Sequence, residues 1–423
     1  MGGDIRQNTA DANRGRQAAR FVPALLLWNS GENGRQMPWK GEKDPYRIWL
    51  SEVILQQTRV EQGLKYYEAF IRTYPDVHAL AAAPEQEVYK LWEGLGYYSR
   101  CRNLIAAARH ISHNLGGRFP DTYESILQLK GVGAYTAAAI ASFAYDLPCA
   151  VLDGNVFRVL SRIYDEDTPI DSTEGKKLFT DLAQKTMGIG RQPTTDNRQP
   201  MTEEGSPISD NRPPMTEEGS QLRDHRQPVG EDRTGDRLSV VSHRSSVYNQ
   251  ALMDFGATIC KPVPECGRCF FNRYCPAYRG GRQQLLPVKA KKTGVKERWF
   301  HYLVMKAGEE YAIRQRTGKD IWQNLYEFPM LETGKPASAQ QVKACLEEQY
   351  ALEPWEYTTV KKSGRVSQRL SHRLVHFDFT VLQLAKEKEL PGFEWVNKGG
   401  LEQYPFPRTL KQFIVNQLDD PDG

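Results

Sequence analysis

The chain is 423 residues long, more than one ordinary core holds, so at least two domains are expected. Charged residues make up 26% and the formal net charge is only +4, which suits a nucleic-acid partner without demanding one. No run of about 18 apolar residues exists to span a membrane, and the first twenty residues lack the apolar core of a signal peptide.

These features lead to the expectation of a cytoplasmic protein. Its seven cysteines are then unlike a disulfide framework.

Residues 1–20 are read as a loose, disordered polar tail. From Phe21 to Gly188 the pattern is helical. "DPYRIWLSEVILQQTRVEQGLKYYEAFIRTYP" opens with Asp44 as a cap and Pro45 at the first helical position. "APEQEVYKLWEGLGYYSRCRNLIAAARHI" and "NVFRVLSRIY" carry apolar residues at three- and four-residue spacing.

Within this region "LKGVGAYTAAAIA" places Gly131 and Gly133 around one valine, just before an alanine-rich helix. Such a turn either packs two helices together or bares backbone N–H groups at a helix N-terminus, where a phosphate binds.

Residues 190–246 break the helical pattern. "NRQPMTEEGS" (197–206) returns as "NRPPMTEEGS" (211–220), with Pro, Gly and charge throughout. Too little apolar surface is present to offset ordering entropy, so a disordered insertion is expected.

Helix resumes at "YNQALMDFGATIC" and leads into "CKPVPECGRCFFNRYC". Residues 283–298 read as a basic linker. From Trp299 to residue 423 the text alternates as strands do ("FHYLVMK", "EYAIRQR", "LVHFDFTVLQL"), with "QVKACLEEQY" as a helix, which implies an α+β domain.

Three groups of residues suggest chemistry. Cys260, Cys266, Cys269 and Cys275 fall within sixteen residues, so their thiolates converge on one centre, either structural zinc or an iron–sulfur cluster. Cys101, Cys149 and Cys345 stand apart and read as buried small apolar groups.

Glu52 sits among Ile48, Trp49, Leu50, Val53, Ile54 and Leu55. It is either on the one exposed helix face or desolvated, protonated near neutrality and able to act as a general acid. Asp153 opens "DGNVFRVLSRI" as an N-cap, which keeps it ionised. One protonated and one ionised carboxyl is the pairing that glycosidic bond cleavage needs.

The stretches "WLSEVILQQTRV", "WEGLGYYSRCRNL", "LKGVGAYTAAAIASFAY", "LDGNVFRVLSRI" and "YNQALMDFGATIC", with four cysteines after them, resemble the MutY family of adenine DNA glycosylases. This family belongs to the helix-hairpin-helix superfamily with endonuclease III. The resemblance covers the chain apart from the insertion and tails. It implies a multidomain protein: an all-α helix-hairpin-helix glycosylase domain (21–282) with an iron–sulfur cluster, and an α+β Nudix-like domain (299–423) that senses 8-oxoguanine.

The implied activity is base excision repair as a monomer on double-stranded DNA. A monofunctional hydrolase would release adenine mispaired with 8-oxoguanine or guanine. By the same matching, Glu52 protonates adenine, Asp153 stands at the sugar, and Asn155 and Tyr135 complete the catalytic set. Tyr135 stands where lyase relatives carry a Schiff-base lysine.

Gln250 would contact the flipped adenine, with Trp39 and Lys40 lining its pocket. Gln57 and Tyr97 would fill or wedge the duplex. Gly131 and Gly133 would hold a DNA phosphate. The four cysteines would carry a [4Fe–4S] cluster, and Ser371 and His372 in "RLSHRL" would read the opposite base.

This sequence departs from the family in four places. The first cysteine gap is five residues rather than six, and Lys40 replaces a more familiar Arg or Gln. Residues 190–246 have no counterpart, and Leu370 replaces a Phe.

The C-terminal domain also resembles Nudix hydrolases. It keeps Glu347 and Glu348 but has Lys335 and Ala344 where that family binds metal, which argues against hydrolysis there. "QQLLPV" (283–288) is faintly like a sliding-clamp peptide.

Overall fold

A computed structural model describes residues 2–189, 243–290, 294–370 and 373–418. The N-terminal part is helical. Asp44 accepts from the Tyr46 N–H at 2.9 Å and Pro45 starts the Pro45–Leu55 helix, as the sequence predicts. That helix is apolar almost all round, so it is buried, and it packs against the Ala134–Tyr145 helix.

Two cores result. One gathers Trp49, Leu50, Phe70, Trp92, Leu104 and Ile140. The other joins the chain's first helix to its later ones through Phe21, Leu25, Val156, Leu160, Phe179, Tyr248 and Phe255.

The C-terminal part is a mixed sheet. Its central pair, Lys296–Ala307 and Arg373–Leu384, runs parallel, with Trp299 opposite His376 and Tyr302 opposite Phe379. Glu310–Gln315 and Met330–Thr333 flank the first strand, while Tyr357–Lys362 and Val366–Leu370 flank the other, all antiparallel.

The Ala339–Glu348 helix contributes Cys345 and Leu346 to a core with Leu303, Met305, Leu382 and Leu384. The Arg408–Gln417 helix stacks Phe413 flat on Phe379, with ring centroids 4.0 Å apart. This is the α+β arrangement expected.

The two parts touch. Asn324 Nδ2 donates to the Tyr89 hydroxyl at 3.0 Å, Arg102 donates to Gln323 at 2.7 Å, and the buried Glu93 carboxylate takes the Phe406 N–H and the Lys411 ammonium.

Three boundary expectations are corrected. Of the disordered tail expected at 1–20, residues 2–20 belong to a helix, Gly2–Gly31. Its polar residues find partners: Arg14 pairs with Glu166 at 2.8 Å, Gln17 donates to the Tyr274 carbonyl at 2.6 Å, and Ala18 is buried.

The insertion expected at 190–246 lies outside the described residues up to 242, but 243–246 are packed. His243 bonds the Ile189 carbonyl at 2.9 Å, and Ser246 gives both its N–H and its hydroxyl to Asp146, which starts the Ser245–Thr258 helix.

The linker expected at 283–298 is partly docked. Leu286 is buried, the Val288 carbonyl accepts from Ile170, and Ala290 donates to Asp171, while Lys296 already begins a strand. Leu286 therefore spends its apolar surface on its own domain, and only Leu285 of that pair stays exposed.

Candidate active site

A cavity of about 1000 Å³ opens between the two helical cores. Its wall includes Trp39, Lys40, Glu52, Gln57, Gly131, Gly133, Tyr135, Asp153, Asn155 and Gln250, so one space brings together ten residues singled out from sequence. Tyr97 is not among the lining residues and stands 44% exposed. Ser371 and His372 lie outside the described residues.

Glu52 projects from the Pro45–Leu55 helix and is 8% exposed, which rules out the exposed-face reading. Burial pushes its carboxyl up to about 7; a hydrogen bond from Tyr135 works against that rise, and the charge of Asp153 adds to it. The Tyr135 phenol is itself driven well above its ordinary value by burial and by both carboxylates, so it remains a donor.

Asp153 caps the Gly154–Tyr164 helix, with one oxygen taking the Val156 N–H and the other the Asn155 amide, each at 2.7 Å. Burial raises its carboxyl, and those bonds with the nearby Arg158 draw it back. Arg158 donates to Asn155 Oδ1 at 2.8 Å, which turns the amide nitrogen toward Asp153. Gly256 allows this approach, because a Cβ there would meet Asn155 Cβ at 2.7 Å.

The glycine turn forms one edge of the cavity. Gly131 has φ +78° and a Cβ on it would strike Asn103 at 2.5 Å, so only glycine fits. Gly133 caps the Ala134–Tyr145 helix, and a Cβ there would point into open space. The helix N-terminus thus opens on the cavity, which favours an anion.

Gln57 and Tyr97 are both left-handed, at φ 56° and 49°. Between them lies Arg100, a residue that the sequence did not single out. It donates to the carbonyls of Val53, Ile54 and Gln56, at 2.8, 3.1 and 2.6 Å, and lies 5.2 Å over the Tyr97 ring. Strained conformations persist where neighbours enforce them.

Two amines line the cavity and both are committed. Lys40 Nζ bonds Asp254 and the Arg35 carbonyl, each at 3.1 Å, and Lys43 Nζ bonds the Phe143 carbonyl at 2.8 Å. Lys40 therefore lines the pocket as expected but turns its charge away toward Asp254, another residue that the sequence reading missed. Arg244, Ser246 and Met253 also line the cavity without having been singled out.

Elsewhere Cys260, Cys266, Cys269 and Cys275 are free thiols that line one small space, enclosed by Ile163, Phe255, Ile259 and Phe271. Arg162, 2% exposed, donates to Cys260 Sγ at 3.4 Å and to the carbonyls of Lys261 and Pro262.

Among the described residues no three Cys, His, Asp or Glu side chains close around a single metal ion. Four thiols around one shared apolar space, with the Arg162 guanidinium donating to Cys260, fit the thiolate ligation of an iron–sulfur cluster. Cys101 and Cys345 are buried as expected, while Cys149 is half-buried.

The profile of the HhH-GPD superfamily base excision DNA repair proteins matches residues 50–185, and that of the NUDIX domain matches 301–416. The human adenine DNA glycosylase is 31% identical, over 96% of this chain and 75% of its own. The rat protein is 32% identical, over 89% and 73%. The adenine DNA glycosylase of Buchnera aphidicola subsp. Acyrthosiphon pisum is 27% identical, over 94% and 97%.

A solved thermostable thymine-DNA glycosylase aligns with 63% of this chain and 98% of its own, at 24% identity and a TM-score of 0.46. No helix among the described residues is long and apolar enough to cross a membrane. With a helical HhH-GPD part joined to a NUDIX part, and with more than 30% identity over about three quarters of the human and rat proteins, the chain belongs to the adenine DNA glycosylases, DNA-repair hydrolases that act in base excision repair.

Proposed function

We propose that the cavity takes an adenine swung out of duplex DNA opposite 8-oxoguanine or guanine, and that Glu52 and Asp153 divide the chemistry. Protonated Glu52 gives its proton to a ring nitrogen of the base. The bond between sugar C1′ and the base then breaks, and its electrons leave with the neutral adenine. Asp153, held by Val156 and Asn155, offsets the positive charge left on the sugar until water adds to C1′ and releases a proton. The observation that carries this reading is a buried carboxyl with its pKa near 7 in the same cavity as a hydrogen-bonded second carboxylate.

Tyr135 donates to Glu52 and offers no amine for attack on the sugar, and both cavity lysines are bonded elsewhere. The reaction therefore stops at an abasic site. Trp39 and Gln250 hold the base, Gln57 and Tyr97 occupy the gap it leaves, and Gly131 and Gly133 anchor a phosphate. Ser371 and His372 read the opposite base. Cys260, Cys266, Cys269 and Cys275 would hold a [4Fe–4S] cluster that fixes the 261–265 loop against Arg162 and takes no part in bond cleavage.

The test uses duplexes carrying adenine opposite 8-oxoguanine, incubated with enzyme and then with or without alkali. Strand breaks only after alkali, and no borohydride-trapped adduct, are expected. Breaks without alkali, together with a trapped adduct, would contradict monofunctional hydrolysis.

A further inference from the structure

Asp254 lies just beneath the cavity wall and is 0% exposed. Each of its oxygens takes two donors. Oδ1 accepts from Arg35 Nη1 at 2.8 Å and Gln250 Nε2 at 2.9 Å; Oδ2 accepts from Asn33 Nδ2 at 2.9 Å and Lys40 Nζ at 3.1 Å. Two of these donors are cations, so the group is a carboxylate and can only accept.

That fact settles the orientation of Gln250. An amide presents a donor nitrogen and an acceptor oxygen, and beside a carboxylate the nitrogen must face inward. Gln250 sits four residues before Asp254 on the same helix and lines the cavity, whereas Asp254 does not. Its Oε1 takes no hydrogen bond from the described residues and is the polar atom left for a ligand.

Resting on the reading that Gln250 faces the extruded base, we infer that Asp254 is a positioning residue that fixes the Gln250 amide with its oxygen outward, and so selects a 6-amino purine over a 6-oxo purine. The 6-amino group of adenine donates to that oxygen. The 6-oxo group of guanine or hypoxanthine presents a second acceptor, and two acceptors in a desolvated pocket repel. Lys40 is part of the same device. Its ammonium is spent on Asp254 and is not presented to a 6-oxo group as a donor.

The test compares single-turnover release of adenine and of hypoxanthine from otherwise identical duplexes. Asp254→Asn puts one oxygen and one amide nitrogen where two acceptors stood, so Gln250 is no longer held in a single orientation and the adenine-to-hypoxanthine rate ratio falls by about tenfold or more. The double variant Asp254→Asn with Gln250→Glu moves the carboxylate across the pair at constant charge. The amide introduced at position 254 then donates inward, the carboxylate introduced at position 250 keeps an acceptor facing the base, and the ratio returns toward that of the wild type.

A purely structural role for Asp254 would slow both substrates together and would not be rescued by the exchange; either result overturns the inference. If Asp254→Asn fails to fold by circular dichroism, the exchange variant alone decides, with adenine preference supporting the inference and its loss refuting it. Gln250→Leu checks the reading underneath. An unchanged ratio in that variant means that Gln250 does not meet the base at all, a failure distinct from an unresponsive Asp254→Asn.

Discussion

Asn155 donates to Asp153 at 2.7 Å with the nitrogen that Arg158 turns toward it, so a guanidinium outside the cavity sets the orientation of the carboxylate proposed to face the sugar. The same aspartate caps the helix, and this double use can be taken apart. Asparagine caps about as well as aspartate, so Asp153→Asn should leave the melting temperature within a few degrees of the wild type. It removes the charge opposite the sugar, and single-turnover excision should fall about 10²–10³-fold. Asn155→Ala should cost less, because the Val156 N–H still holds the carboxylate. Equal, small losses in excision for both variants would count against a charge at the sugar.

The shifted carboxyl of Glu52 also has a stability signature. Its folded pKa, about 7, lies above the ordinary 4.5, so the folded state holds a proton that the unfolded chain releases. That contribution is fully present below about pH 4.5 and is lost as pH rises through about 7, where the folded protein must bury a charge. Glu52→Gln removes the burden. The variant should match the wild type at pH 4 and exceed it at pH 9 by up to about 3 kcal/mol, read from denaturant unfolding. An equal difference at the two pH values would mean that the carboxyl is not desolvated.

The four free thiols around one apolar space predict bound iron. Protein purified without air should be brown and hold about four irons per chain. Cys269→Ser should lower that content and loosen the 261–265 loop, seen as faster proteolysis there. A colourless wild type with one zinc would overturn the cluster assignment.

Opposite-base reading is proposed for Ser371 and His372, which lie outside the described residues. Replacing both with Ala should reduce the preference for adenine opposite 8-oxoguanine over adenine opposite guanine by about 1–3 kcal/mol. The rate at saturating enzyme should change much less. Equal preference before and after would leave the C-terminal part without this role.

Local signals in the sequence were legible where the physics is local. Asp44 and Pro45 start a helix because capping involves only neighbours in sequence, and Glu52 stands out because its helix is apolar almost all round. Asp254 was not legible in "ALMDFGAT", since Asn33, Arg35 and Lys40, which make it an anchor, lie more than two hundred residues away.

Arg100 was missed for the same reason: the carbonyls it binds end a different helix. The polar first helix read as a tail because its partners, Glu166 and the Tyr274 carbonyl, are remote in sequence. The parallel pairing of Lys296–Ala307 with Arg373–Leu384 leaves no local trace either, because the first of these strands is buried along most of its length whichever way its neighbours run.

Glu52→Gln keeps the shape of the side chain and removes its proton, so it isolates the acid step. With enzyme in excess over a duplex carrying adenine opposite 8-oxoguanine, the variant should bind DNA as the wild type does. Its excision should slow by about 10²–10⁴-fold or more, while wild-type excision declines as pH rises past about 7. Near-normal excision by the variant, or a wild-type rate that climbs through that pH, would show that Glu52 is not the proton donor.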